Sequence, residues 1–249
     1  MSIVNRLLRI SLNFPDFKRA VNGLFFPLVD FFYPPLCLSC RKLLLDAQRH
    51  VCHECWGSIQ LAHPKLELYQ ETRDKLCASG TVDELVAAFV FEKEGAYQHI
   101  VHALKYSDCQ SLGVELGKRV GHVMNVWGVT GDYLVPIPLH RRKLRERGYN
   151  QAKLIAGGMS EVTGIPVRSD LVRRKKFTQT QTMLTLEERR KNMGDAFEVV
   201  PGTTRNLKRK TCILVDDVIT TGSTILSCAL ALRAAGASRI IAASSALAA

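Results

Sequence analysis

No stretch of this 249-residue sequence is long and apolar enough to cross a bilayer, and none is an internal repeat or a low-complexity tract. A membrane-spanning helix needs about 20 predominantly apolar residues. Arg6 and Arg9 break the first apolar stretch, and Pro27 and Asp30 interrupt the run from Phe25 to Tyr33. That opening does not read as a signal peptide, so the expectation is a cytoplasmic protein with no stable membrane insertion. The Lys that a Walker phosphate loop requires is missing around Gly222. Acidic residues are scarce as well: 23 Asp and Glu stand against 34 Lys and Arg, a net charge of +11. A surplus of that size favours polyanionic partners and says little about fold.

Cysteine is plentiful, and its spacing is informative. Cys37, Cys40, Cys52 and Cys55 form C-x2-C-x11-C-x2-C, the two-knuckle pattern that holds one tetrahedral Zn²⁺. In a reducing cytosol zinc is the better reading than two disulfides. His50, His53 and Cys77 lie nearby as alternative ligands, and Cys109, Cys212 and Cys228 sit in apolar settings that suit core packing. With no open coordination position in the pattern, the zinc is structural.

The run Ile213-Leu214-Val215-Asp216-Asp217-Val218-Ile219-Thr220-Thr221-Gly222-Ser223-Thr224 carries the chemistry. An apolar segment ending at Val215 suits a central parallel strand, which delivers the acids to the carboxyl edge of the sheet, where ligands bind in open α/β folds. Thr220, Thr221, Gly222, Ser223 and Thr224 then lead into a helix expected over 225–235. Backbone amides of such a loop, with the positive end of the helix dipole, make a pocket for one phosphate. Paired carboxylates beside it can accept hydrogen bonds from two ribose hydroxyls or hold Mg²⁺. The string resembles the 5-phosphoribosyl-1-pyrophosphate motif of type I phosphoribosyltransferases, matching it position by position.

Elsewhere the periodicity predicts an amphipathic helix over 16–32, docking on the larger domain. Residues 63–80 show no strong period and read as a joint. A strand is expected over 84–91, helices over 95–106 and 112–126, and a short strand over 133–138 stopped by Pro136 and Pro138. Basic charge is clustered in three places: the run Arg141-Arg142-Lys143-Leu144-Arg145-Glu146-Arg147, the stretch 173–176, and Lys208-Arg209-Lys210. The first cluster lies just before a helix expected from about Asn150, an arrangement suited to pyrophosphate. The clusters leave a nucleic-acid surface open as a second use. A strand-like signature recurs over 164–167. The long polar stretch 173–192 reads as a partly ordered lid with Gln179, Gln181 and Arg190 placed to contact a polyanion. A helix of small residues ends at Gly236, and the closing strand spans 239–243.

Set in order, Val135-Pro136-Ile137-Pro138, Arg147-Gly148-Tyr149-Asn150-Gln151-Ala152, Thr178, Gln181, Arg190, Asn192, Phe197 and the loop 216–224 resemble the ComF/GntX family along nearly the whole chain. The resemblance implies an α/β fold: a type I phosphoribosyltransferase-like, mostly parallel sheet with helices on both faces, plus a small N-terminal zinc-knuckle domain. The implied division is a helical segment over 1–36, the zinc knuckle and linker over 37–80, and the phosphoribosyltransferase-like domain over 81–249. It implies that Asp216 and Asp217 bind ribose at the reacting centre, that the Thr220 to Thr224 loop holds the 5′-phosphate, and that Arg141, Arg142, Arg145 and Arg147 face pyrophosphate. The ligand implied is phosphoribosyl pyrophosphate or a related ribose phosphate, with Mg²⁺. In competent bacteria the family is linked to DNA uptake and natural transformation, with single-stranded DNA and the helicase and recombination proteins as partners.

Two departures shape the expectation. Thr220 stands where purine-salvage enzymes carry a carboxylate base, and the chain has neither a processed N-terminal cysteine nor room for a glutaminase domain. Transfer to an unknown acceptor, a non-catalytic ribose-phosphate sensor and a single-stranded DNA-binding adaptor all stay open.

Overall fold

The computed structural model describes residues 34–45, 48–107, 109–175 and 196–248. The amphipathic helix expected over 16–32 and most of the lid stretch, with Gln179, Gln181 and Arg190, lie outside the described residues. Two compact units divide the chain, the first ending at Cys52 and the second running from His53.

In the first unit a tight turn carries the knuckle. Leu36 and Leu43 form an antiparallel bridge, and Cys37 N–H donates to the Lys42 carbonyl at 2.8 Å while Arg41 N–H returns to Cys37 at 3.0 Å. The Cys52 N–H points at Cys37 Sγ, 3.4 Å away.

The second unit is built on a four-stranded parallel sheet. Its strands are β1 (Glu84–Val90), β2 (Tyr133–Pro136), β5 (Thr211–Ile219) and β6 (Arg239–Leu247), in the order β1-β6-β5-β2. Sequence explains the order, because fully buried parallel strands read as continuous apolar runs. Cys212, Ile213, Leu214 and Val215 of β5 and Ile240, Ile241, Ala242 and Ala243 of β6 are all inaccessible to solvent. Register sets Leu214 beside Ala242 and Asp216 beside Ser244. A separate antiparallel ribbon pairs β3 (Val172–Arg174) with β4 (Phe197–Val199), Arg174 opposite Phe197.

Seven α-helices are described: α1 (His53–Ser58), α2 (Glu67–Cys77), α3 (Ala96–Tyr106), α4 (Gln110–Trp127), α5 (Arg141–Arg147), α6 (Gln151–Thr163) and α7 (Ser223–Ala234). In α3 the buried residues Tyr97, Ile100, Val101 and Leu104 fall at i, i+3, i+4 and i+7, one helical face. Leu112, Leu116, Val120 and Met124, at i, i+4, i+8 and i+12, line the buried face of α4. Close approach of α4 to α6 requires glycine on both sides. A Cβ on Gly117 would sit 2.0 Å from the Ile155 carbonyl oxygen, and one on Gly158 the same distance from that of Val114. This packing seats α6 against α4, and the first residue of α6, Gln151, lies in the candidate site.

Several elements differ from the sequence expectation for identifiable reasons. The stretch 63–80 contains α2, whose buried Tyr69, Thr72 and Leu76 form a face too narrow to register as a period among polar neighbours. The basic run 141–147 is itself a helix, because Arg, Lys, Leu and Glu are good helix formers and His140 Nδ1 caps it, accepting from Arg142 N–H at 3.2 Å. Over 164–167 only a single bridge forms, Leu134 to Val167.

Candidate functional site

β5 does not stop at Val215. Pairing with β6 carries it through Asp216 and Asp217 to Ile219, so both acids stand on a rigid strand rather than a loop. Asp217 N–H donates to Asp216 Oδ1 at 2.9 Å, and Val218 N–H to Asp217 Oδ1 at 2.9 Å. Lys105, in the last turn of α3, places its Nζ 3.1 Å from Asp217 Oδ2. Beneath the pair the Tyr97 hydroxyl donates to Ser245 Oγ at 2.7 Å, and Ser245 Oγ in turn donates to the Asp217 carbonyl. Burial, then the neighbouring charge of Asp217, pushes Asp216 up to about 8. The raised value favours the neutral form of Asp216 at neutral pH, while the Lys105 ammonium faces Asp217.

The loop after β5 turns at Gly222, whose φ of 72° is left-handed and whose missing Cβ would meet Leu76 Cδ2 at 2.6 Å. Gly222 is the N-cap of α7 and has no side chain to cap it, and the neighbouring Thr221 hydroxyl accepts from Ser223 N–H only at 3.4 Å. The first-turn amides of α7 and its dipole therefore suit an anion. Thr220 and Thr221 are exposed, and the Thr221 hydroxyl lies 3.1 Å from that of Ser223.

A cleft of about 370 Å³ opens at this strand end. Asp216, Asp217 and Thr224 form one wall; Lys105, His140, Lys143, Arg147 and Gln151 come from α3 and the α5–α6 region, and Arg174 from the β3–β4 ribbon. Asn150 caps α6, accepting from Ala152 N–H at 3.1 Å, and its amide donates to the Ile137 carbonyl at 2.9 Å. Arg147 donates to Gln151 Oε1 at 3.1 Å. Gln151 is 2% exposed, and its Nε2 has no hydrogen-bond partner among the described residues. Arg174 is half-buried, its guanidinium 4.8 Å from the Phe197 ring, and burial draws its pKa down against the pull of Asp216. A site lined this way can hold two anionic groups, one at the start of α7 and one against Lys143 and Arg147, with a sugar between them against the carboxylates.

The structure gathers the sequence-identified residues unevenly. Asp216, Asp217, Thr224 and Arg147 line the cleft together. Arg141 lines a neighbouring cavity, and Arg142 turns outward to pair with Glu146 at 2.9 Å. Arg145 lies on α5 outside the cleft lining. Sequence reasoning missed Lys105, His140 and Gln151 as cleft residues, whereas Lys143 lay in the basic run read as facing pyrophosphate and Arg174 in the basic stretch read as part of the lid. For Lys105 a signal existed, a lone cation four residues after Val101 on a face that is otherwise apolar.

The four Sγ atoms of Cys37, Cys40, Cys52 and Cys55 all lie within 4.8 Å of one another. Cys40 and Cys52 are 3.7 Å apart. That is the edge of a tetrahedron with Zn–S bonds of about 2.3 Å, and far beyond a disulfide bond. Burial raises the Cys37 thiol, but amides of Cys40, Cys52 and Ser39 together overcome it and hold the thiol at about 6, favouring the thiolate that a metal needs. The donor set fits a structural zinc ion. Among the described residues no helix is long and apolar enough to cross a membrane.

Comparison with known proteins gives two family-model matches, a phosphoribosyl transferase domain over residues 152–248 and a double zinc ribbon domain over residues 28–66. The second span contains four cysteines, enough for one tetrahedral site. Competence protein F of Haemophilus influenzae is 31% identical over 212 residues, covering 82% of this chain and 87% of that protein. The DNA utilization protein YhgH of Escherichia coli K12 is 31% identical over 147 residues, 57% of this chain and 63% of the relative. Competence protein ComFC of Bacillus subtilis is 25% identical over 206 residues, covering 76% and 74%. Among solved structures, the glutamine phosphoribosylpyrophosphate amidotransferase of Bacillus subtilis has a TM-score of 0.39 at 21% identity, covering 53% of this chain and 26% of that one.

Proposed function

The chain belongs to the ComF family of competence proteins, and from that premise we propose that its cleft binds phosphoribosyl pyrophosphate or a related ribose phosphate in the service of DNA uptake. The observation that carries the reading is the meeting of Asp216, Asp217, Thr224 and Arg147 around one cleft at the end of a parallel strand. Asp216 and Asp217 accept hydrogen bonds from the ribose hydroxyls. Amides and hydroxyls of Thr220, Thr221, Gly222, Ser223 and Thr224 take the 5′-phosphate. Arg147, joined by Lys143, takes the pyrophosphate, with Arg141, Arg142 and Arg145 supplying field from α5. Gln179, Gln181 and Arg190 serve in closure as the lid. The division into residues 1–36, 37–80 and 81–249 belongs to the same reading, as do a cytoplasmic location and single-stranded DNA with helicase and recombination proteins as partners.

Mg²⁺, when bound, would neutralise the pyrophosphate and ease its departure from C1. The chain's own groups orient the sugar and stabilise the leaving charge through Arg147 and Lys143. Thr220 can donate a hydrogen bond to an acceptor but cannot serve as the carboxylate base of purine salvage. Turnover is therefore the open half of the reading. The test is calorimetric titration with phosphoribosyl pyrophosphate, with and without Mg²⁺, alongside an assay for released pyrophosphate. Saturable binding supports the reading, release of pyrophosphate with an acceptor makes it an enzyme, and binding without release makes it a sensor. No binding of any ribose phosphate overturns it.

A further inference from the structure

Arg174 lines two cavities. Besides the cleft, it borders a second cavity of about 420 Å³ whose other walls are Arg141, Arg173, Lys175 and Glu198. Among the described residues, four cations face one acid there, and that acid is already engaged by Arg173 at 2.8 Å. Arg174 Nε is buried with no hydrogen-bond partner among the described residues. A desolvated guanidinium donor without an acceptor is costly unless an anion completes it. The positive wall continues from the cleft around Arg174, and it extends past the groups already allotted to one ribose pyrophosphate. At the cleft rim, Tyr106 is 68% exposed, with the Arg147 guanidinium 5.8 Å from its ring. An exposed aromatic beside a phosphate track is the arrangement on which unpaired bases stack.

We propose that the second cavity is a backbone-phosphate subsite for single-stranded nucleic acid, whose 5′-phosphorylated terminal nucleotide enters the cleft. The proposal rests on the ribose-phosphate reading and names its substrate class. A cleft of about 370 Å³ takes one nucleotide unit and not a base-paired end. Stacking on Tyr106 likewise requires an unpaired base. The terminal phosphate sits at the start of α7, and the next phosphates pass Arg174 toward Arg141, Arg173 and Lys175.

The experiment measures fluorescence anisotropy of 3′-labelled oligothymidylates of twelve nucleotides, 5′-phosphorylated or 5′-hydroxyl, with the full chain at several salt concentrations. The phosphorylated strand is expected to bind at least about tenfold tighter, and phosphoribosyl pyrophosphate is expected to displace it. Combined Arg173→Ala and Lys175→Ala should lower the magnitude of the salt slope by about 1.4, since each single-strand phosphate contact contributes about 0.7. The heat of phosphoribosyl pyrophosphate binding should stay unchanged in that variant. Glu198→Gln, which removes the acid described in that cavity, should tighten strand binding. Equal affinity for the two strand ends, or an unaltered salt slope in the double variant, overturns the proposal. If phosphoribosyl pyrophosphate binds and the strand does not, this inference fails and the ribose-phosphate reading survives. If neither binds, both fail.

Discussion

Burial and the charge of Asp217 hold the Asp216 carboxyl protonated up to about pH 8, far above an ordinary carboxylate. The sign of the pH dependence follows from the raised value. Stability contributed by neutral Asp216 is complete below about pH 4 and drains away as pH rises toward 8, where the folded state must give up a proton it prefers to keep. Asp216→Asn keeps the shape and never ionises. Its melting temperature should therefore exceed that of the wild type at pH 8.5 and approach it at pH 5, while its ribose-phosphate affinity falls at both. A variant that melts below the wild type at pH 8.5 contradicts the account of a raised Asp216 pKa. Lys105 works on the same pair from α3. Removing it leaves Asp217 without its cation at 3.1 Å, and Lys105→Ala should cost about 2 kcal/mol in urea denaturation at pH 7, the scale of a hydrogen bond to a charged group. The acid pair was legible in the sequence because its two members are adjacent. Lys105 was not, because only the packing of α3 beside β1 and β6 reveals which distant side chain meets them.

At the scale of elements, the parallel strands were the most readable feature, since continuous apolar runs at 84–91, 133–138 and 213–215 have few other uses. Their ends were less readable. β5 continues through two acids because β6 offers paired backbone up to Leu247, and an isolated sequence carries no sign of its neighbour's length. The basic run over 141–147 shows the opposite case, in which charge suggested a loop while propensity and the His140 cap made a helix. That difference turns Arg142 outward and leaves Arg147 in the cleft. The seating of α6 depends on glycine packing against α4. Gly117→Ala drives a Cβ into the Ile155 carbonyl at 2.0 Å, so about 3 kcal/mol of stability should be lost. Displacement of Gln151 and Arg147 should then weaken ligand binding without any change to a ligand-contacting residue. A fully stable Gly117→Ala variant would show that α4 and α6 pack less closely than described.

Over the whole molecule, part of the net charge of +11 lies where anions would gather: α5 carries five cations against one acid, and Arg173, Arg174 and Lys175 stand at the β3–β4 ribbon. Composition favoured polyanionic partners, and only the fold shows that two of the three basic clusters meet near Arg174. The third follows another course, because Lys210 is spent on Asp132 at 2.7 Å, where the pair supports the start of β5 through Thr211 N–H. The knuckle was legible outright, since four cysteines at fixed spacing have one common use. Metal analysis should find one zinc ion per chain, falling below one in Cys37→Ser. A zinc-free wild type purified under reducing conditions would remove the structural role assigned to Cys37, Cys40, Cys52 and Cys55.

The most direct test of the central claim is calorimetric titration of phosphoribosyl pyrophosphate with Mg²⁺ into the wild type and into the chain carrying Asp216→Asn with Asp217→Asn. The cleft described here predicts one saturable site per chain in the wild type and at least a tenfold loss of affinity in the double variant, about 1.4 kcal/mol or more. Flat titration of the folded wild type, or equal affinity in the two proteins, would contradict it.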